Sequence, residues 1–364
     1  MKTFVCQACG QLLYFENVRC ERCGRALGFL PDRLTISTLE PAKDGLWSAL
    51  AAKGQQYRFC KNWELGVCNW MLLSNGPGEF CAACRHNHII PDLSSPENLE
   101  LWRKLEFAKH RLFYTLLRLG LPLANRTDDP VRGLAFDFLS EESQPHAQRI
   151  MTGHANGMIT VAVKEADDAE RERVRTQMGE PYRTLLGHFR HESGHYFWDI
   201  LVRDGDGVDA FHAIFGNESN YETALKAYHA NGPAADWQKH FVSAYASAHP
   251  WEDFAETWAH YLHIIDTLET AQSFGVKVQA RIARPSERMA VVIDFDPHKA
   301  PSTDHLIKAW LPLCFAVNSM NRSMGQADLY PFVLSPAAIA KLDYIHRLIQ
   351  RQETAMYSHH PDIS

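Results

Sequence analysis

Cysteine is almost absent from three quarters of this 364-residue chain: beyond residue 84 only Cys314 remains of the nine. A charge excess of one sign is also missing. Lys+Arg number 37 against 43 Asp+Glu, a net charge of −6, and the pI near 6.3 leaves no electrostatic footprint for nucleic acid or an anionic membrane. No long hydrophobic run occurs. The most core-like stretch, AWLPLCFAV at 309–317, is far short of the roughly 20 residues that span a bilayer. The opening MKTFVCQACG has no apolar h-region, so no secretory signal is read and a cytoplasmic setting is expected. In that setting closely spaced cysteines bind metal more often than they form disulfides. With 46% hydrophobic, 22% charged and 11% aromatic residues, collagenous, coiled-coil and largely disordered chains are excluded.

What is present is unevenly spread. Eight cysteines (6, 9, 20, 23, 60, 68, 81 and 84) fall in the first quarter. Residues 1–95 carry ten Lys+Arg and eight Asp+Glu, near +2, which leaves about −8 for the remainder. Short strand-like pieces, LLYF at 12–15 and LTIST at 34–38, lie among glycines and prolines. A boundary is expected near 92–97, where Ser95 reads as an N-cap, with Pro96 at the first helical position and Glu97 in the first turn. From there LELWRKLEFAKHRLFYTLLRLG has helical apolar spacing up to Gly120. Further on, 133–139 and 157–163 read as strands. A long helix is expected from near Pro181 to the Asp204-Gly205-Asp206-Gly207 punctuation, another from Pro250 to about Leu268. The last third reads as a strand at 288–296 and helices near 304–320 and 336–352, then a loose tail over 356–364.

Cys6-x2-Cys9 and Cys20-x2-Cys23 are each followed by a glycine, Gly10 and Gly24. Such knuckles suit a tetrahedral tetrathiolate site, since the x2 spacing lets both sulfurs of a tight turn reach one ion. Zinc is expected, although iron accepts the same ligand set. Cys60, Cys68, Cys81 and Cys84 are spaced less regularly, which zinc tolerates because it imposes only a tetrahedron. His86 and His88 could each replace a thiol there, and ligands could cross between clusters, but two separate tetrathiolate sites are the preferred reading. A segment so small buries little apolar surface, so metal is expected to supply much of its stability.

The chemistry-bearing pattern has no cysteine. RHESGHYFW contains His191, Glu192 and His195. Histidines at i and i+4 lie about 40° apart on a helix, so both imidazoles reach one metal, with Glu192 beside them to accept a proton from water. Neutral imidazoles suit a catalytic zinc that keeps one position open. In PWEDFAETW, Glu252 and Glu256 share a face that Trp251, Phe254, Ala255 and Trp258 would bury, and two buried carboxylates call for a cation. Glu252 is read as the third ligand and Glu256 as the carboxylate that orients an imidazole through its other N–H. Asp253, about 100° away, is expected to be solvated. Tyr245 reads either as the oxyanion donor or as a packed aromatic. His188 is not expected to ligate, and Cys314 reads as a buried small hydrophobe.

HESGH followed by Y-x6-E-D-F-A-E resembles the gluzincin metallopeptidases, particularly the branch of the anthrax lethal factor catalytic domain. Carried over, the resemblance implies His191, His195 and Glu252 as ligands, Glu192 as base, Tyr245 as transition-state donor and Glu256 as the orienting carboxylate. The whole chain resembles bacterial zinc-binding metallopeptidases with an N-terminal zinc-ribbon domain, through the Cys knuckles, GMITVAVKEADD, HESGHYFW, HPWEDFAETWAHYLH and NSMNRSMGQADLYPFVLSP. The resemblance implies an α+β architecture. It further implies a zinc-ribbon segment over 1–95, expected to hold two tetrathiolate sites, and a mainly helical zincin-like domain with a small sheet, expected over 96–355.

The expected activity is hydrolysis of a peptide or isopeptide bond in a peptide or protein substrate, with one catalytic and two structural Zn2+ and no membrane or nucleic-acid partner. The rival is a non-catalytic zinc-binding scaffold that recruits a protein or nucleic acid. In zincins the substrate pairs with an edge strand upstream of the metal helix. The strand at 157–163 is expected to be that edge, with Ile159, Val161 and Val163 toward the core and Thr160 and Ala162 on the open face. Asn318, Asn321 and Arg322 share a helical face and would line the cleft, clamp a loop or form a structural cap network. His359 and His360 read as inert.

Overall fold

The computed structural model describes residues 1–140, 150, 152–178, 180, 182–281 and 289–359. The chain is α+β and forms two compact units, Met1–Thr176 and Gln177–Ser364.

The first unit opens with a small hairpin, β1 (Phe4–Val5) and β2 (Leu12–Leu13). An antiparallel five-stranded meander follows: β3 (Leu27–Leu30), β4 (Thr35–Pro41), β5 (Trp47–Ala49), β6 (Gln56–Phe59) and β7 (Met71–Leu73). Leu30, Leu39, Ala49, Tyr57 and Met71 form one core of this segment. Strand β8 (Asn87–Ile89) then leads to helix α1 (Pro96–Arg118). Pro96 takes the first helical position as expected, but the Ser95 side chain makes no capping bond. The α1 face buries Trp102, Leu105, Leu112, Phe113 and Leu116. It also brings Tyr114 against Phe15 and Phe29, ring centroids 5.5 and 6.0 Å away, so the helix closes over the aromatic core of the cysteine-rich segment.

A second sheet runs in the order β10 (Gly153–Ala155), β11 (Met158–Ala162), β9 (Ala135–Leu139), β8. Ile159, Val161 and Val163 are buried as the alternation requires. The expected edge is not there, because β10 pairs antiparallel with β11 and encloses it. The cause is the Asn156-Gly157 pair, both at positive φ (49° and 80°), the backbone of a two-residue type I′ hairpin. A Cβ at Gly157 would come within 2.6 Å of the Arg132 carbonyl oxygen. Helix α2 (Asp168–Met178) follows this sheet.

The second unit is built on α3 (Leu185–Trp198), which continues as a π turn over Asp199–Arg203. The helix starts later than Pro181, a residue outside those described. Thr184 caps it, accepting a bond from the Gly187 amide at 3.0 Å. Next come α4 (Val208–Phe215), α5 (Tyr221–Asn231) and the long α6 (Pro250–Ser273). Helix α6 outlasts Leu268 because the buried positions Ile264, Ile265, Leu268 and Ala271 keep helical spacing up to Gly275, at φ 60°. Strands β12 (Lys277–Gln279) and β13 (Ala290–Val292) pair antiparallel. Only these three residues of the expected strand at 288–296 are in a strand, and residue 288 lies outside those described. Helices α7 (Thr303–Ser323) and α8 (Pro336–His359) complete the unit. The His359 side chain and residues 360–364 also lie outside the described residues. No helix among the described residues is long and apolar enough to cross a membrane.

Candidate metal centres

The two CxxCG turns have the same backbone. In each, the glycine amide bonds the first cysteine's carbonyl oxygen, Gly10 N to Cys6 O at 2.9 Å and Gly24 N to Cys20 O at 2.8 Å. Both glycines sit at positive φ, 75° and 72°, which a side chain would strain. The turns face each other, with Cys6 and Cys23 sulfurs 3.7 Å apart and Cys9 and Cys20 sulfurs 3.6 Å apart. A tetrahedron with metal–sulfur bonds of about 2.3 Å has edges of about 3.8 Å, so these four thiols fit one ion.

Cys60, Cys68, Cys81 and Cys84 form a separate, fully buried group. Neither histidine that follows them joins it. His86 Nδ1 bonds the Leu134 carbonyl oxygen at 2.8 Å, and burial lowers its pKa to about 3. His88 is exposed beside Asp137 at 2.8 Å.

The third group spans α3 and α6. These helices approach so closely that a Cβ on Gly194 would lie 2.8 Å from Ala255 Cα and 3.2 Å from Trp258 Cβ. Phe197 stacks on Trp258 at 4.9 Å, and the buried Arg190–Asp266 ion pair at 2.5 Å ties the same two helices together. Where they meet, His191 Nε2, His195 Nε2 and Glu252 Oε2 form a triangle with sides of 3.0, 3.2 and 3.4 Å. Three ligands about 2.0–2.1 Å from a tetrahedral metal are separated by about 3.3 Å, so the triangle has the size zinc requires.

The neighbours hold each donor in a ligating pose. His191 Nδ1 donates to Glu256 Oε1 at 2.7 Å, which leaves Nε2 as the lone-pair nitrogen. Ser243 donates to the other Glu256 oxygen at 2.5 Å. Tyr221 donates to Glu252 Oε1 at 2.6 Å, leaving Oε2 to face both imidazoles. The His195 ring packs on Trp251, centroids 3.9 Å apart. Burial raises the Glu256 carboxyl, but the His191 bond outweighs it and holds the pKa at about 2. The buried Glu192 has an oxygen, Oε2, with no hydrogen-bond partner among the described residues. The donor chemistry, the spacing and this unsatisfied carboxylate oxygen together fit a zinc ion with an attendant water.

Tyr245 is half-buried beside His191, ring centroids 5.9 Å apart. Burial, Glu252 and Tyr221 push its pKa far above the ordinary tyrosine value, so it stays a hydrogen-bond donor. Asp253 departs from expectation. It turns away from the histidines, yet it is fully buried and pairs with Lys341 of α8 at 2.5 Å, because the outer face of α6 is covered by α8. The Asn318 face clamps its own loop: Asn318 Nδ2 donates to the Tyr330 carbonyl oxygen at 2.8 Å and Asn318 Oδ1 accepts from the Tyr330 amide at 3.0 Å. Asn321 bonds Ala327 O, and Arg322 pairs with Asp328. Cys314 is half-buried, its sulfur 3.9 Å from Tyr330 O.

Residues 98–348 match the family described as "Putative zinc-binding metallo-peptidase", and residues 3–95 match a zinc-ribbon domain. The chain belongs to this metallopeptidase family. Zinc binding therefore goes with both parts of the chain. An uncharacterized protein of Mycobacterium tuberculosis is 40% identical to this family member over 353 residues, 96% of this chain and 95% of that protein. An uncharacterized protein of Mycobacterium bovis matches to the same extent. No solved structure matches the chain.

Tyr221 and Ser243 complete the third group and escape the motif reading, whereas Trp251, expected only to bury the Glu252 face, also packs on His195. Tyr221 lies 31 residues before Glu252 at the start of a helix with no fully buried residue, so its spacing carries no signal. Ser243 lies two residues before Tyr245, but serine is ordinary next to a buried helix.

Proposed function

We propose that this family member is a zinc-dependent peptidase that hydrolyses a peptide or isopeptide bond. The observation that supports it most is the triangle of His191, His195 and Glu252 beside the unsatisfied Glu192 oxygen. A zinc ion bound by those three residues would polarise the scissile carbonyl and acidify a water toward neutral pH. Glu192 takes the proton from the attacking water on its carboxylate and returns it to the departing amine. Tyr245 donates its hydroxyl proton in a hydrogen bond to the substrate oxygen as negative charge develops there. Glu256, fixed by Ser243, keeps the His191 proton on Nδ1, and Tyr221 keeps one Glu252 oxygen turned to the imidazoles. In this reading the partner is a peptide or protein substrate, the setting is cytoplasmic, and the gluzincin pattern describes the ligand set. With the two tetrathiolate groups of the first unit, this reading gives three zinc ions per chain.

The test is Glu192→Gln, assayed on a library of peptides and isopeptide-linked peptides with zinc counted in parallel. The variant is expected to keep three zinc ions and lose about 10²–10⁴-fold in turnover. Wild-type turnover in the variant would refute the role of Glu192. A zinc-loaded wild type that cleaves nothing in the library would favour the recruiting scaffold.

A further inference from the structure

The second cysteine cluster has a neighbour that cysteine spacing does not show. His110, on α1, is 3% exposed. Its Nε2 lies 3.3 Å from Cys68 Sγ, 3.6 Å from Cys84 Sγ and 4.0 Å from Cys81 Sγ. Its other ring nitrogen, Nδ1, lies 2.6 Å from the Glu106 carbonyl oxygen and 3.7 Å from that residue's carboxylate. Both are acceptors, so Nδ1 carries the proton. In the neutral ring Nε2 is then a lone pair aimed at three sulfurs, the pose of a metal-ligating histidine. The Glu106 carboxylate is itself engaged through Oε1, by Lys109 at 2.7 Å and Asn87 at 3.0 Å.

Distance separates a ligand from a bystander. With Zn–S of about 2.3 Å and Zn–N of about 2.0 Å, a tetrahedral S···N edge is about 3.5 Å and an S···S edge about 3.8 Å. The three S···N separations bracket the first value, and Cys68–Cys81 at 3.7 Å matches the second. Cys60 belongs to one donor group with the same three sulfurs, and its own sulfur accepts the Cys81 amide at 3.4 Å. Cys68, Cys81 and Cys84 therefore form a face that either of two donors can complete, Cys60 with sulfur or His110 with nitrogen.

We propose that His110 is a reserve ligand of the second zinc site. The ion is held by Cys68, Cys81 and Cys84 together with either Cys60 or His110. Residue 110 lies outside the zinc-ribbon match and inside the metallopeptidase match, so the site draws donors from both. Losing the Cys60 thiol leaves a complete three-sulfur, one-nitrogen site. Losing a cysteine of the shared face leaves no such replacement.

The experiment uses the full chain as Cys60→Ala, Cys81→Ala and Cys60→Ala/His110→Leu, with zinc counted per chain by native mass spectrometry and cobalt absorption recorded after substitution. Cys60→Ala is expected to keep the wild-type zinc count, with cobalt bands changed from a four-sulfur to a three-sulfur, one-nitrogen pattern. Cys81→Ala and the double variant are each expected to lose one zinc. The proposal is overturned if Cys60→Ala loses zinc as Cys81→Ala does, whether folded or not. It is equally overturned if the double variant keeps the full count, or if the cobalt bands of Cys60→Ala show no nitrogen ligand. The comparison of the two single variants decides the matter even where the double variant fails to fold.

Discussion

Gly194→Ala offers the most demanding test of how the third metal group is assembled. The added methyl carbon would lie 2.8 Å from Ala255 Cα and 3.3 Å from Ala255 Cβ, whereas unstrained carbon contacts lie at about 3.5–4.0 Å. Backbone, not a flexible side chain, is in the way, so α3 and α6 must separate by about 0.7 Å or more. Overpacking of this kind costs about 1–3 kcal/mol. Replacing a mid-helix glycine by alanine returns about 1 kcal/mol of helix propensity. The net expectation is a loss of zero to about 2 kcal/mol, read by denaturant unfolding of the zinc-free protein. The larger effect is geometric, because His191 and His195 ride on one helix and Glu252 on the other. A displacement of this size is expected to lower turnover by about 10²-fold and to weaken zinc binding, read by competition with a chromophoric chelator. A variant stabilised by about 1 kcal/mol with unchanged zinc affinity would refute the claim that helix contact sets the ligand spacing.

Other expectations follow from single contacts. Tyr221→Phe and Glu256→Gln should each weaken the third zinc site by about 10–100-fold while leaving the first unit's zinc in place, measured by chelator competition. Burial, resisted by Lys341, pushes the Asp253 carboxyl from 3.8 up to about 7. Its folded pKa thus exceeds its unfolded one, so its contribution to stability is full below about pH 3.8 and is lost as pH rises through about 7. The stability difference between wild type and Asp253→Asn should therefore fall between pH 5 and pH 8 in urea unfolding, and a flat difference would contradict it. Lys341→Met, which leaves the Asp253 carboxyl protonated and without its partner and frees the His240 carbonyl oxygen, should cost about 1–3 kcal/mol in the same assay. Asn318→Ala removes both bonds to Tyr330 and should cost about 1–3 kcal/mol without changing zinc content.

The helical framework was legible where a stripe and its end signals coincide. Pro96 and Pro250 open helices at the first position, and the HExxH histidines fall on the metal-facing side of α3. What escaped has identifiable causes. Thr184 rather than Pro181 begins α3, because a side-chain cap to the Gly187 amide outweighs a proline three residues earlier. The strand at 158–162 is interior because Asn156-Gly157 is a hairpin signal, which the apolar alternation after it does not contain. Asp253 seemed solvated because a helical wheel shows only which way a side chain points. It cannot show that α8, nearly ninety residues later, brings Lys341 to meet it. His110 sits in an amphipathic helix where a buried histidine looks like packing, and only its closeness to three sulfurs distinguishes it.

The Lys341–Asp253 pair also bears on how short a working fragment of this protein can be. Asp253 is the residue next to Glu252, and its carboxylate is buried with Lys341 as its counter-ion. A fragment ending after α7 would contain every metal-facing residue of the third group and still leave that acid facing a lost partner. Helix α8 contributes no donor to the third group, yet the helix that carries Glu252 and Glu256 buries an acid whose counter-ion α8 supplies. The structural C-terminal limit of the second unit therefore lies beyond Lys341, not at the end of the recognisable motif.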